Sequence, residues 1–136
     1  MRETGGERGA GVNRSPNRPG FASALRFATE LVAWVATPWA LAGHSVLLAV
    51  ASVVVLIALP TIFATPGDKA QVIVPVPGYV TIGLALLHMV AAAVASWLAW
   101  PLPAAVAVWI LVAASVLAEL PRWRRLLSTG AADRAR

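Results

Sequence analysis

The sequence predicts an all-α, integral membrane four-helix bundle made of two antiparallel helical hairpins, with both termini cytoplasmic. Three observations lead there. Four apolar runs, at about 23–41, 45–63, 79–100 and 103–120, fill most of a 136-residue chain, and each approaches the ~20 residues that cross a ~30 Å hydrocarbon core. Hydrophobic residues make up 59% of the chain and charged ones only 12%, against ~25% charged in a soluble domain. Mean hydropathy is +0.74, and the basic residues gather beside the ends of the apolar runs that would share one face of the membrane.

Residues 1–20, MRETGGERGAGVNRSPNRPG, hold almost no large apolar side chain. A segment with so little to bury cannot offset its ordering entropy, so a disordered basic N-terminal arm is expected. The apolar run that follows is too long for the h-region of a secretory signal and lacks a small-residue cleavage pattern. The first helix is therefore expected to remain in the mature protein.

Pro60 lies near the end of the second run, and the connection over 64–78 is the one substantial loop. Within it Pro66-Gly67-Asp68 reads as a turn. Gln71 to Val76 reads as an extended, interfacial segment held between prolines. The connections around Ala42 to His44 and around Pro101 to Pro103 are only a few residues long, which favours antiparallel neighbours. Residues 121–136 read as a basic cytoplasmic tail.

Charge placement fixes the orientation. Arg2, Arg8, Arg14 and Arg18 precede the first run, Arg122, Arg124, Arg125, Arg134 and Arg136 follow the last, and Lys69 lies in the central loop. The two short connections carry no Lys or Arg, so the positive-inside rule puts both termini and the central loop on the cytoplasmic side of a multi-pass plasma membrane protein. The abundance of arginine, alanine and valine suits a bacterial chain from a GC-rich genome. Aromatic residues follow the same scheme: Phe21, Phe63, Tyr79 and Trp123 fall at the cytoplasmic boundary, and Trp39, Trp97 and Trp100 at the other. Trp34 and Trp109 fall nearer mid-membrane, where packing mass is their expected use.

Several function classes drop out. Without cysteine there is no disulfide, thiol nucleophile or thiolate metal site, and two distant histidines cannot make a zinc site. The formal net charge of +5 could suit nucleic acid, but the basic residues lie in tails without aromatic interleaving or a reading helix. No cofactor, metal or catalytic motif is evident, so no enzyme and no nucleic-acid partner is expected. The lipid bilayer is the first partner, with a membrane-protein partner or a second copy as candidates. Small residues recur at a spacing of four at Ala91, Ala95 and Ala99, at Ala92 and Ser96, and at Ala114 and Ala118, permitting close helix approach within the bundle or between copies.

Polar exceptions inside the apolar runs are the candidate site. Arg26 and Glu30 lie one turn apart on the first helix and share a face. Glu30 sits roughly 10 Å inside the start of the first run at Ser23, at 1.5 Å per residue. Glu119 falls at nearly the level of Arg26 once the termini share a side. An arginine with five donors can then serve both carboxylates, although Arg122 and water compete for Glu119. His88, near the bilayer centre, is a functional candidate by depth alone; it can reach Glu30 by level, but a neutral ring bonded to a carbonyl is the plainer expectation. His44, in the outer connection, reads as interfacial.

The segment Leu25-Arg26-Phe27-Ala28-Thr29-Glu30-Leu31, the proline-containing end of the second run and the Pro75-Val76-Pro77-Gly78 entry into the third resemble the YrdB-like proteins, small four-helix membrane proteins of a domain family of unknown function. The resemblance spans approximately Phe21 to Leu120. It implies membrane location and fold, with no activity attached. The family pattern repeats an Arg-and-Glu signature after the proline-glycine turn, and here Val80 to Ala85 carries no charge. Two readings of function follow: a non-enzymatic packing or accessory module, or a small proton-coupled transporter of the four-helix multidrug-exporter type using Glu30. Arg26 weighs against the second, because a neighbouring cation favours the ionised carboxylate.

Overall fold

The computed structural model describes residues 20–66 and 72–135. The expected N-terminal arm falls outside them but for Gly20, as does the turn after Pro66 together with Lys69. The fold is all-α: α1 (Phe21–Ala42), α2 (Val46–Ile62), α3 (Gly78–Ala99) and α4 (Leu102–Arg134), with two two-residue strands, β1 (Phe63–Ala64) and β2 (Val74–Pro75), between α2 and α3.

Local chemistry sets the helix ends. At the start of α2 the Ser45 side chain accepts from the Leu48 amide at 3.4 Å, covering one of the orphan donors of a first turn. Pro77 and Pro101 precede α3 and α4, and Pro103 lies in the first turn of α4, where a missing amide costs nothing. The strands pair in parallel, with Phe63 opposite Val74 and Ala64 opposite Pro75, and the Val76 amide donates to the Ala64 carbonyl at 3.0 Å. Part of the expected extended segment is thus tied to the end of α2.

One helix differs from expectation. The residues read as a basic tail from 121 onward continue α4 without a break to Arg134, making a helix of about 50 Å at 1.5 Å per residue. Pro121 removes a single backbone donor and leaves the rest of the hydrogen-bond ladder to continue. Packing secures the extension: Leu126 lies so close to Gly78 that a Cβ built there would sit 2.7 Å from the Leu126 carbonyl oxygen. Trp123 also departs from the aromatic-belt reading, since it is buried, whereas Phe21, Trp39, Tyr79 and Trp97 are exposed.

The core is built from small side chains. Ala33 and Ala36 of α1 and Ala92, Ala93, Ala95 and Ser96 of α3 are buried, and α1 packs most extensively on α3 while touching α2 and α4 as well. Residues this small let backbones approach closely. Leu56 and Val108 join Ala33 and Ala92 in the central cluster, with Trp34 and Trp100 packed against it. By contrast α2 and α3 meet sparingly, and only Ala49 and Leu56 of α2 are buried. Helices α3 and α4 are long and apolar enough to cross a membrane; α2 is apolar but has 17 residues.

Two glycines of α3 should respond oppositely to alanine. Gly78→Ala meets backbone atoms of Leu126 and is expected to lower stability by about 1–3 kcal/mol through overpacking. Gly83 has open space where a Cβ would go, so Gly83→Ala should raise stability by up to ~1 kcal/mol through helix propensity. Thermal melts of the two variants in one detergent check both signs.

Candidate functional site

Several polar residues of the bundle gather along the contact between α1 and α4. Thr29 and Ser115, both buried, join their hydroxyls at 2.9 Å. Thr29 spends its proton on the Leu25 carbonyl at 2.9 Å, so Ser115 is the donor to Thr29, and a buried hydroxyl pair is satisfied on both sides.

One turn along α4, Glu119 is only 2% exposed. It receives a hydrogen bond from Arg122 on its own helix, and Arg26 Nη1 approaches its Oε2 to 4.0 Å from α1. Arg26 Nε in turn lies 3.6 Å from Glu30 Oε1. The arrangement expected of Arg26, between Glu30 and Glu119, is therefore present as a chain of alternating charges that continues to Arg122. Two guanidiniums and two carboxylates balance, which is the condition for holding a carboxylate in an apolar setting.

His88 does something different. It is 2% exposed, with Nε2 lying 2.8 Å from the Leu56 carbonyl oxygen of α2 and Nδ1 2.9 Å from the Leu84 carbonyl oxygen of its own helix. The Leu56 carbonyl would ordinarily accept the amide of residue 60, and residue 60 is proline, which has none. His88 Nε2–H thus supplies from α3 the donor that Pro60 withholds within α2. This explains how a sparse α2–α3 contact accommodates a proline inside a helix, since an unpaired buried carbonyl costs ~1–3 kcal/mol. Hydrogen bonding to carbonyls was legible from the residue type, but its partner was not.

A cavity of about 190 Å³ opens where α2 stands off α3. Arg26, Glu30, Trp34, Thr81, His88 and Arg122 are among its lining residues, so three of the four candidate positions border it while Glu119 lies behind the two arginines. Glu30 and His88 share the cavity wall, but each has its own partners. The Trp34 indole Nε1 is buried without a hydrogen-bond partner, a donor that composition alone did not single out. Among the described residues no three His, Asp or Glu side chains gather to hold a metal ion.

No protein-family model, curated protein or solved structure matches this chain.

Two predictions follow from the contacts themselves. Glu119→Gln leaves two guanidiniums without their shared carboxylate and should cost about 3 kcal/mol. Glu30→Gln, at a side chain that is 24% exposed, should cost under ~1 kcal/mol. Denaturant titration in detergent micelles ranks the pair, and equal losses would contradict the burial argument. For His88, a double-mutant cycle with Pro60→Ala is diagnostic: His88→Leu should destabilise the native chain but lose most of that effect once residue 60 again offers an amide to Leu56. Additive losses would show that the Leu56 carbonyl is not what His88 serves.

Proposed function

We propose that this chain is a four-span bacterial plasma membrane protein acting as a non-enzymatic packing or accessory module. Its two helical hairpins are antiparallel, and its termini and central loop are cytoplasmic. The observation that carries this reading is an inverted distribution of polarity. Val35, Leu47, Val54, Val90, Leu98, Ile110 and Leu117 are exposed on the outer faces of the four helices, while Glu119, His88, Thr29 and Ser115 are buried. A water-soluble protein seldom presents large contiguous apolar surfaces, whereas a bundle solvated by lipid tails puts its polar groups inside.

Within that frame the contacts favour a module over a proton-driven exporter. Glu119 is committed to Arg122 and Arg26, and Glu30 stands beside Arg26, so the intramembrane charges bind helix to helix. Arg122, Arg124 and Arg125, near the cytoplasmic end of α4, add positive charge where the positive-inside rule favours it. The YrdB-like resemblance agrees with this placement and adds no activity.

Reporter fusions after Arg136 and near Gly43 should read opposite compartments, and the chain should resist alkaline carbonate extraction; matching readouts or extraction would sink the four-span reading. In proteoliposomes under an imposed pH gradient the chain should add neither proton flux nor uptake of a lipophilic cation. A flux abolished by Glu30→Gln would replace the module with the exporter.

A further inference from the structure

We propose that His88 is a proton-binding site: the doubly protonated ring ties α2 to α3, and loss of one ring proton releases that tie. The assignment follows from counting donors and acceptors. Nδ1 lies 2.9 Å from the Leu84 carbonyl oxygen and Nε2 2.8 Å from the Leu56 carbonyl oxygen, and a carbonyl oxygen only accepts. A neutral imidazole has one N–H and one lone pair, whereas the imidazolium donates from both nitrogens. Both contacts are therefore hydrogen bonds only when the ring carries two protons. With a single proton, a ring lone pair faces a carbonyl lone pair at hydrogen-bond distance, and one contact must open.

Which contact opens depends on what can move. Leu84 lies one turn before His88 on α3 and cannot withdraw from it. Leu56 belongs to α2, which packs mainly on α1 and meets α3 sparingly, and Pro60 offers its carbonyl no amide. Loss of the proton from Nε2 removes the bridge directly. Loss from Nδ1 swings the ring off the Leu84 oxygen and takes Nε2 off its line to Leu56. Either event widens the gap between α2 and α3, as histidine protonation does at other switchable interfaces.

The surroundings give the proton a way in and no way through. His88 is 2% exposed and lines the deep end of the cavity, whose wall also carries Arg26, Glu30 and Arg122, all three partly exposed. At about 190 Å³ the cavity has room for several waters to deliver or accept the proton, since one needs ~10–15 Å³. One turn further along α3, Ala92 joins Ala33, Leu56 and Val108 in the closed apolar cluster, so a proton that reaches His88 goes no further. Facing the ring's cavity from neighbouring elements are Arg26 and Glu30 of α1 and Arg122 of α4, with Glu119 behind; α2 and β1 contain no titratable residue. The two carboxylates lose charge as pH falls, whereas the ring loses its second proton as pH rises, and they join α1 to α4 rather than α2 to α3. Their titration is thus separable from that of His88. The proposal needs only the folded bundle; the membrane reading adds that the cavity opens to the cytoplasm.

The test follows the full chain in maltoside micelles through a pH titration within which its helical circular dichroism stays constant. In His44→Gln, which leaves His88 as the chain's one imidazole, ring nitrogen-15 resonances should show two protonated nitrogens at the acid end and the loss of one proton in a single step as pH rises. Because the chain has no cysteine, spin labels at Val54→Cys of α2 and Val90→Cys of α3, both exposed positions, report the gap. Their separation should lengthen with the midpoint of the nitrogen transition. His88→Gln keeps an N–H donor for Leu56 and has no second proton to lose, so the separation should stay short at every pH. Glu30→Gln should retain the lengthening, with or without a displaced midpoint. A ring that carries one proton throughout, or a separation that does not follow the ring, overturns the proposal. A lengthening that survives in a folded His88→Gln variant, or disappears in Glu30→Gln, assigns the titration to another group and overturns it as well. Failure of the membrane reading shows separately, in carbonate extraction and the reporter fusions.

Discussion

Close approach of α1 and α3 is the constraint from which the other features descend. Buried residues on the two facing helices are mostly alanine or serine, so their backbones come together as larger side chains would forbid. With α1 seated on α3 and also touching α2 and α4, the pair forms a central slab. Helix α4 fits alongside both, and α2 is left leaning on α1. The gap that results between α2 and α3 is bridged at one point by His88 and at the loop end by the β1–β2 pair and the Thr65–Thr81 hydroxyl contact of 2.7 Å. The cavity is that gap.

The same seating aligns the polar groups. Thr29 and Ser115 meet, and one turn nearer the start of α1 and the end of α4 Arg26 reaches toward Glu119. Low polarity makes each of these contacts costly to break and cheap to keep, because no water waits to replace a lost partner. Polar matching therefore specifies how far α1 is translated along α4, a distance that uniform alanine packing alone would leave loosely defined.

Much of the fold was legible because long apolar runs and short proline-bounded connections announce helices directly. The length of α4 was not. Pro121 followed by Arg122, Arg124 and Arg125 reads as an ending, and only the tertiary contact of Leu126 with Gly78 shows why the helix goes on. Strand pairing between Phe63–Ala64 and Val74–Pro75 is likewise a non-local outcome that two-residue segments cannot encode by pattern. In the site, the spacing of Arg26 and Glu30 and the level of Glu119 were readable from helix geometry. The acceptor of His88 was hidden because it is a main-chain atom of another helix. Its only trace in the sequence was Pro60, four residues beyond Leu56, since a proline inside an apolar helix implies that a carbonyl one turn back needs a donor from elsewhere. Ser115 and the unpaired indole of Trp34 left no trace, since neither residue is unusual in an apolar helix.

The pairing within each helix also bears on how the protein is made. Glu30 follows Arg26 by four residues and Arg122 follows Glu119 by three, so each charged helix carries its own counter-ion from the moment it coils. α1 leaves the ribosome long before α4 exists, yet it need not wait for Glu119 to be neutralised. On the membrane reading proposed above, α1 would enter the bilayer with its charge balanced, and Glu119 of α4 would later arrive already matched by Arg122. Contact between Arg26 and Glu119 would then form as a last, lateral adjustment between two helices already placed, and neither carboxylate would depend on the order of synthesis for its counter-ion.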